Sequence, residues 1–74
     1  MKNEAVMEYP ASLYPAAIIR QAIRDYQNIC TIRMESMETG TRCCFCRSCY
    51  DLDQTVCEFS NYLIELQNQQ VNQC

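Results

Sequence analysis

The chain has 74 residues, with no histidine, one glycine and two prolines. Without histidine there is no imidazole to serve as base for a nucleophile. A single glycine, Gly40, rules out a glycine-rich phosphate loop, and no two carboxylates stand at a spacing that catalysis uses. The expectation is therefore a non-enzymatic protein, with no catalytic and no cofactor-binding residue. So little glycine and proline, with 49% of residues apolar, also excludes a disordered or loop-rich chain.

Basic residues are scarce. The six, Lys2, Arg20, Arg24, Arg33, Arg42 and Arg47, form no run, and the net charge is −3. Such a surface repels phosphates, so no nucleic-acid partner is expected. Arg20 and Arg24, one helical turn apart, read as a solvated helix face. Long apolar runs are missing too. No stretch approaches the roughly 20 apolar residues that span a bilayer, so no membrane partner is expected. The opening "MKNEAVMEYP" carries Glu4 and Glu8 and lacks the apolar centre of a secretion signal. A cytoplasmic location with reduced thiols follows as the expectation. The length implies one domain, 1–74, with an ordered core at about 5–68 and a polar C-terminal tail at 69–74 that frays. A chain this short lies near the lower limit for folding on apolar burial alone.

The periodicities give the elements. "AVMEY" (5 to 9) reads as a strand ended by Pro10. "YPAAIIRQAIRDYQNI" opens with Pro15, which suits a first helical position because its missing N–H would have no partner there. Ile18, Ile19, Ala22, Ile23 and Tyr26 then form one helical stripe. "CTIRMES" alternates, with Cys30, Ile32 and Met34 on one side and Thr31, Arg33 and Glu35 on the other. "ETGT" supplies a turn in which Gly40 is free to take positive φ, and "TRCCFCRS" follows as a third strand. "DLDQTVCEFSNYLIELQNQQ" carries Leu52, Val56, Phe59, Leu63 and Leu66 at helical spacing, with Asp51 or Asp53 as its cap. Asn61 and Tyr62 fall beside that stripe as boundary packing. The fold class expected is α+β, a single small β-α-β-β-α domain. Its right-handed crossover sets both helices on one face of a three-stranded sheet.

Against these absences stand seven cysteines, four of them within "TRCCFCRSCY". An odd number fits a disulfide framework badly. If Thr39 and Gly40 are the turn residues, Glu38 pairs with Thr41, Ser36 with Cys43, Glu35 with Cys44, Met34 with Phe45 and Arg33 with Cys46. Cys30 then falls opposite Cys49. Strand side chains alternate, so Cys43 and Phe45 face the core while Cys44 and Cys46 join Arg33 and Glu35 on the open face. Cys43, Cys46 and Cys49 repeat a three-residue spacing like that of a ferredoxin, but the fourth position is Asp53. A zinc site lacks a second ligand pair. The C-x-x-C at 46 to 49 does not open a helix, where the dipole would lower a thiol pKa. The expectation is no metal and reduced cysteines packed as small apolar groups, with Cys44 and Cys46 exposed. The alternative is a small zinc or iron–sulfur protein ligated by Cys43, Cys46, Cys49 and Cys57, or with Cys44 or Cys30.

"LYPAAIIRQAIRDY" (Leu13 to Tyr26), with "FSNYLIEL" (Phe59 to Leu66), resembles the small D-type proteins of His-Xaa-Ser systems. The matching residues Tyr14, Pro15, Ala22 and Ile23 are helix-start and core positions, so no catalytic residue is carried over. The cysteine-dense strand lies outside the shared pattern. The resemblance implies an accessory protein that partners a radical-SAM-type peptide-modifying enzyme or its peptide substrate. The partner expected is thus a protein or peptide, or a second copy of this chain through a sheet edge or the open sheet face.

Overall fold

A computed structural model of the chain describes residues 4–72, with side chains to residue 69. The elements are β1 (Glu4–Pro10), α1 (Ala16–Asp25), β2 (Thr31–Ser36), β3 (Gly40–Cys46) and α2 (Leu52–Asn72). This is the expected β-α-β-β-α order. The sheet order is β1-β3-β2, so β3 slots between the outer strands and runs antiparallel to both. The stripes of both helices meet the same sheet face. Ile18, Ile19 and Ala22 of α1 and Phe59 and Leu63 of α2 share one core with Tyr9, Cys30, Cys43 and Phe45. Phe59 is its hub, with ring centroids 5.2 Å from Phe45, 5.3 Å from Tyr26 and 6.2 Å from Tyr9. Burying each such side chain contributes about 1.5–3 kcal/mol.

Pro15 sits one position earlier than expected. Its ψ of 142° is extended, and its carbonyl accepts from the N–H groups of Ile18 and Ile19, so it caps α1 rather than beginning it. The helix also ends at Asp25, before the Ile29 that the periodicity suggested. A turn follows, in which the Tyr26 carbonyl accepts from Ile29 and Cys30. At the other end, Asp51 is the cap of α2, its carboxylate accepting from the Gln54 N–H at 3.2 Å. Helix α2 continues to Asn72, into the polar stretch 69–74 expected to fray, of which residues 73 and 74 lie outside the described residues. Its backbone bonds are local, and no glycine or proline interrupts them.

The hairpin departs from expectation by two residues. Met37 and Gly40 exchange both backbone bonds, at 2.8 and 3.4 Å, so the turn residues are Glu38 and Thr39. Ser36 therefore pairs with Thr41, Glu35 with Arg42, Met34 with Cys43 and Arg33 with Cys44. A shift of two keeps every side chain on its expected face, whereas a shift of one would invert them all. The cause is β1. It pairs Pro10 with Gly40, and Ala11 donates to the Thr39 carbonyl, which draws Gly40 out of the turn and into β3. Gly40 has no positive φ, contrary to expectation. Glycine is required there because a Cβ would collide with the Tyr9 carbonyl oxygen and lie 2.9 Å from Pro10 Cα.

Strand β3 stops at Cys46 rather than Ser48 because Arg47 takes φ 51°, the left-handed region. Cys30 is consequently not laddered against Cys49; instead the Cys49 N–H donates to the Ile29 carbonyl at 2.8 Å. Ser48 Oγ lies 2.8 Å from Thr55 Oγ1, and Thr55 donates to the Asp51 carbonyl at 3.0 Å. These bonds satisfy the buried threonine and anchor the turn into α2.

Candidate functional site

The registers assign the open face residue by residue. It carries Glu4, Val6 and Glu8 from β1, Arg42, Cys44 and Cys46 from β3, and Thr31, Arg33 and Glu35 from β2. Arg42 stands on the central strand and spans all three, donating to Glu8 at 3.1 Å and to Glu35 at 3.3 Å. Arg33 lies 3.9 Å from Glu4, and the Cys44 thiol lies 3.8 Å from the same carboxylate oxygen. The carboxylates and Arg33 are well exposed and Arg42 partly so, so each ion pair adds at most about 1 kcal/mol. Their effect is positional: they stretch Arg42 between Glu8 and Glu35 and set Arg33 beside Glu4. Arg33, Met34, Glu35, Arg42 and Cys44 line a shallow depression of about 310 Å³.

The cysteines are dispersed by strand geometry. Cys43 is fully buried in the core and Cys30 almost so; Cys44 and Cys46, expected to be the exposed pair, are half-buried between their neighbours on the open face, and Cys49 and Cys57 are the exposed ones. Cys43 and Cys46 point to opposite faces of β3, and Cys57 lies on α2. The residues named for a metal site, Cys43, Cys46, Cys49 and Cys57, are thus not brought together. Among the described residues no group of three or more cysteine or carboxylate side chains is placed to hold a metal ion. The six described cysteines are free thiols.

Burial pushes the Cys43 thiol up to about 11. It also raises Cys30, whose thiol donates to the Cys46 carbonyl at 3.3 Å. Neither is a thiolate near neutral pH, so neither is an activated nucleophile. Burial likewise pushes the Tyr9 hydroxyl up to about 12, while its bond to Ser60 at 2.9 Å satisfies it inside the core. Tyr62 donates to Asp25 at 2.5 Å and holds that carboxyl below its ordinary value. This bond ties the end of α1 to α2. It was not expected from the sequence, since its partners are 37 residues apart.

The Arg42 clamp was missed as well. The alternation of Glu8, Arg42 and Glu35 signals it only once β3 is known to be the central strand. No protein-family model, no curated protein and no solved structure matches the chain. Among the described residues no helix is long and apolar enough to cross a membrane. What the arrangement offers chemically is a charged, thiol-bearing sheet face and two strand edges bonded on one side only.

Proposed function

We propose that the protein is a non-enzymatic interaction module whose outer strand β1 receives an extended peptide. The observation that carries this reading is the order β1-β3-β2 with both helices on one face. It leaves β1 paired on one side only, a ready template for an added strand. Ala11 bonds to the Thr39 carbonyl, and alternate residues of β1 from there back turn their backbone groups toward β3. Glu4, Val6 and Glu8 therefore turn theirs outward. Their side chains share the open face, so a fitting peptide carries basic, apolar and basic residues at alternate positions. The resemblance to the D-type proteins of His-Xaa-Ser systems supplies the setting: an accessory role beside a radical-SAM-type enzyme, with its peptide substrate as the occupant.

A synthetic peptide containing Lys-Thr-Val-Thr-Lys tests the recognition chemistry. Addition of the peptide is expected to shift the backbone amide resonances of Glu4, Val6 and Glu8 by NMR. A Glu4→Gln/Glu8→Gln variant is expected to bind about 3- to 10-fold more weakly, the loss of two cross-strand charge pairs. Shifts confined to α1 or α2, or binding indifferent to that variant, would refute the reading. A pull-down with enzymes encoded nearby tests the setting separately.

A further inference from the structure

The second outer strand, β2, differs from β1 in a way that selects a different occupant. Met37 and Gly40 are mutually bonded, so Glu35, Arg33 and Thr31 turn their backbone groups toward β3. Ser36, Met34 and Ile32 turn theirs outward. The side chains of Ile32 and Met34 lie on the helix-covered face, packed against the core but only partly buried. Arg33 and Glu35 lie on the open face, exposed at 74% and 64%.

An antiparallel copy of this strand, centred on Met34, complements it at its centre and at both charged positions. Met34 meets Met34 of the second copy, and Ile32 meets Ser36. These are the residues whose backbone groups face outward, so the ladder bonds form in the same register. Arg33 then stands directly opposite Glu35 of the second copy, twice by symmetry, in the closer type of pair. Glu35 is already oriented by Arg42 at 3.3 Å. Registers centred on Arg33 or on Glu35 instead place like charges together. Among the described residues of β1 the corresponding registers are poorer. Centring it on Val6 sets Glu4 against Glu8 twice, and centring it on Met7 puts Pro10, which has no N–H, into the ladder.

We infer that two copies of this protein associate through β2, antiparallel and centred on Met34. The strand order becomes β1-β3-β2-β2-β3-β1, with all helices on one face and both β1 edges outermost. This deepens the reading above: a second copy takes β2, and the peptide keeps β1. The depression at Arg33, Arg42 and Cys44 gains a wall from the second copy, and the dimer presents two peptide edges.

Sedimentation equilibrium is expected to give twice the 8.7 kDa monomer mass, falling toward the monomer on dilution. R33E and E35R each set like charges opposite one another and are expected to weaken the dimer about tenfold or more. An equimolar mixture of the two variants pairs opposite charges at both contacts and is expected to restore association. S36P removes an outward N–H, leaves the ladder within the chain intact, and is also expected to weaken the dimer. Circular dichroism verifies that each variant is folded. A chain monomeric up to about 1 mM, the weak end of measurable affinity, would overturn the inference. So would folded single variants that dimerise like the parent, or a mixture that stays monomeric. Peptide binding without a dimer sinks this inference alone. A dimer without peptide binding at β1 sinks only the reading above.

Discussion

Cys43 and Cys44 are neighbours in the chain and opposites in environment. One is sealed beneath the helices with its thiol pushed up to about 11; the other sits on the charged face beside Glu4. The period of two in a strand decides this, and it is why cysteine spacing alone misleads as a metal signal here. Arg47 is a second residue-scale case. At φ 51° a side chain bearing Cβ is strained, and glycine is not. Arg47→Gly is expected to raise stability by about 0.5–1 kcal/mol, the relief being partly offset by the freer unfolded chain. A urea titration measures it; destabilisation would mean that contacts of the arginine side chain outweigh the strain.

At the scale of elements, the hairpin between β2 and β3 depends on a strand distant in sequence. Gly40 looked like a turn glycine because its neighbours Thr39 and Thr41 read locally as a turn. The close approach of Tyr9 and Pro10 makes it a strand glycine instead. Gly40→Ala is therefore expected to lower stability by about 1–3 kcal/mol, the usual range for overpacking. Hydrogen exchange at the β1 amides is expected to accelerate more than exchange in α2. A substitution acting only on turn geometry would leave β1 protected. The helices were more legible than the hairpin. Ile18, Ile19, Ala22, Phe59 and Leu63 occupy the core positions their spacing indicated, because a helical stripe depends on the local backbone alone. The ends were less so: α1 stops at Asp25 and α2 runs to Asn72, where tertiary contacts and the absence of a breaker act.

At the scale of the molecule, burial couples the fold to alkaline pH. The Cys43 thiol rises from 9.0 to about 11 and the Tyr9 hydroxyl from 10.0 to about 12 on folding. Each group keeps its proton more tightly when folded, so its contribution is complete below the unfolded value and lost as pH rises through the folded one. Melting temperature is expected to decline above pH 9 and more steeply above pH 10. Each group accounts for on the order of 2 kcal/mol at full extent. Cys43→Ala is expected to flatten the decline between pH 9 and 11 whatever its baseline cost. An unchanged slope would mean that the thiol titrates freely.

Much of this was readable in one dimension. The α+β order, the core stripes, a cap at Asp51 or Asp53 and the division of Cys43 from Cys44 and Cys46 all follow from local periodicity and capping chemistry, which need no knowledge of distant neighbours. Only the tertiary structure decided that β3 lies in the middle, that Arg42 bridges Glu8 and Glu35, and that the hairpin slips by two. Each depends on which strand lies beside which. Pairing between strands is set by contacts far apart in the chain, and no local pattern encodes them.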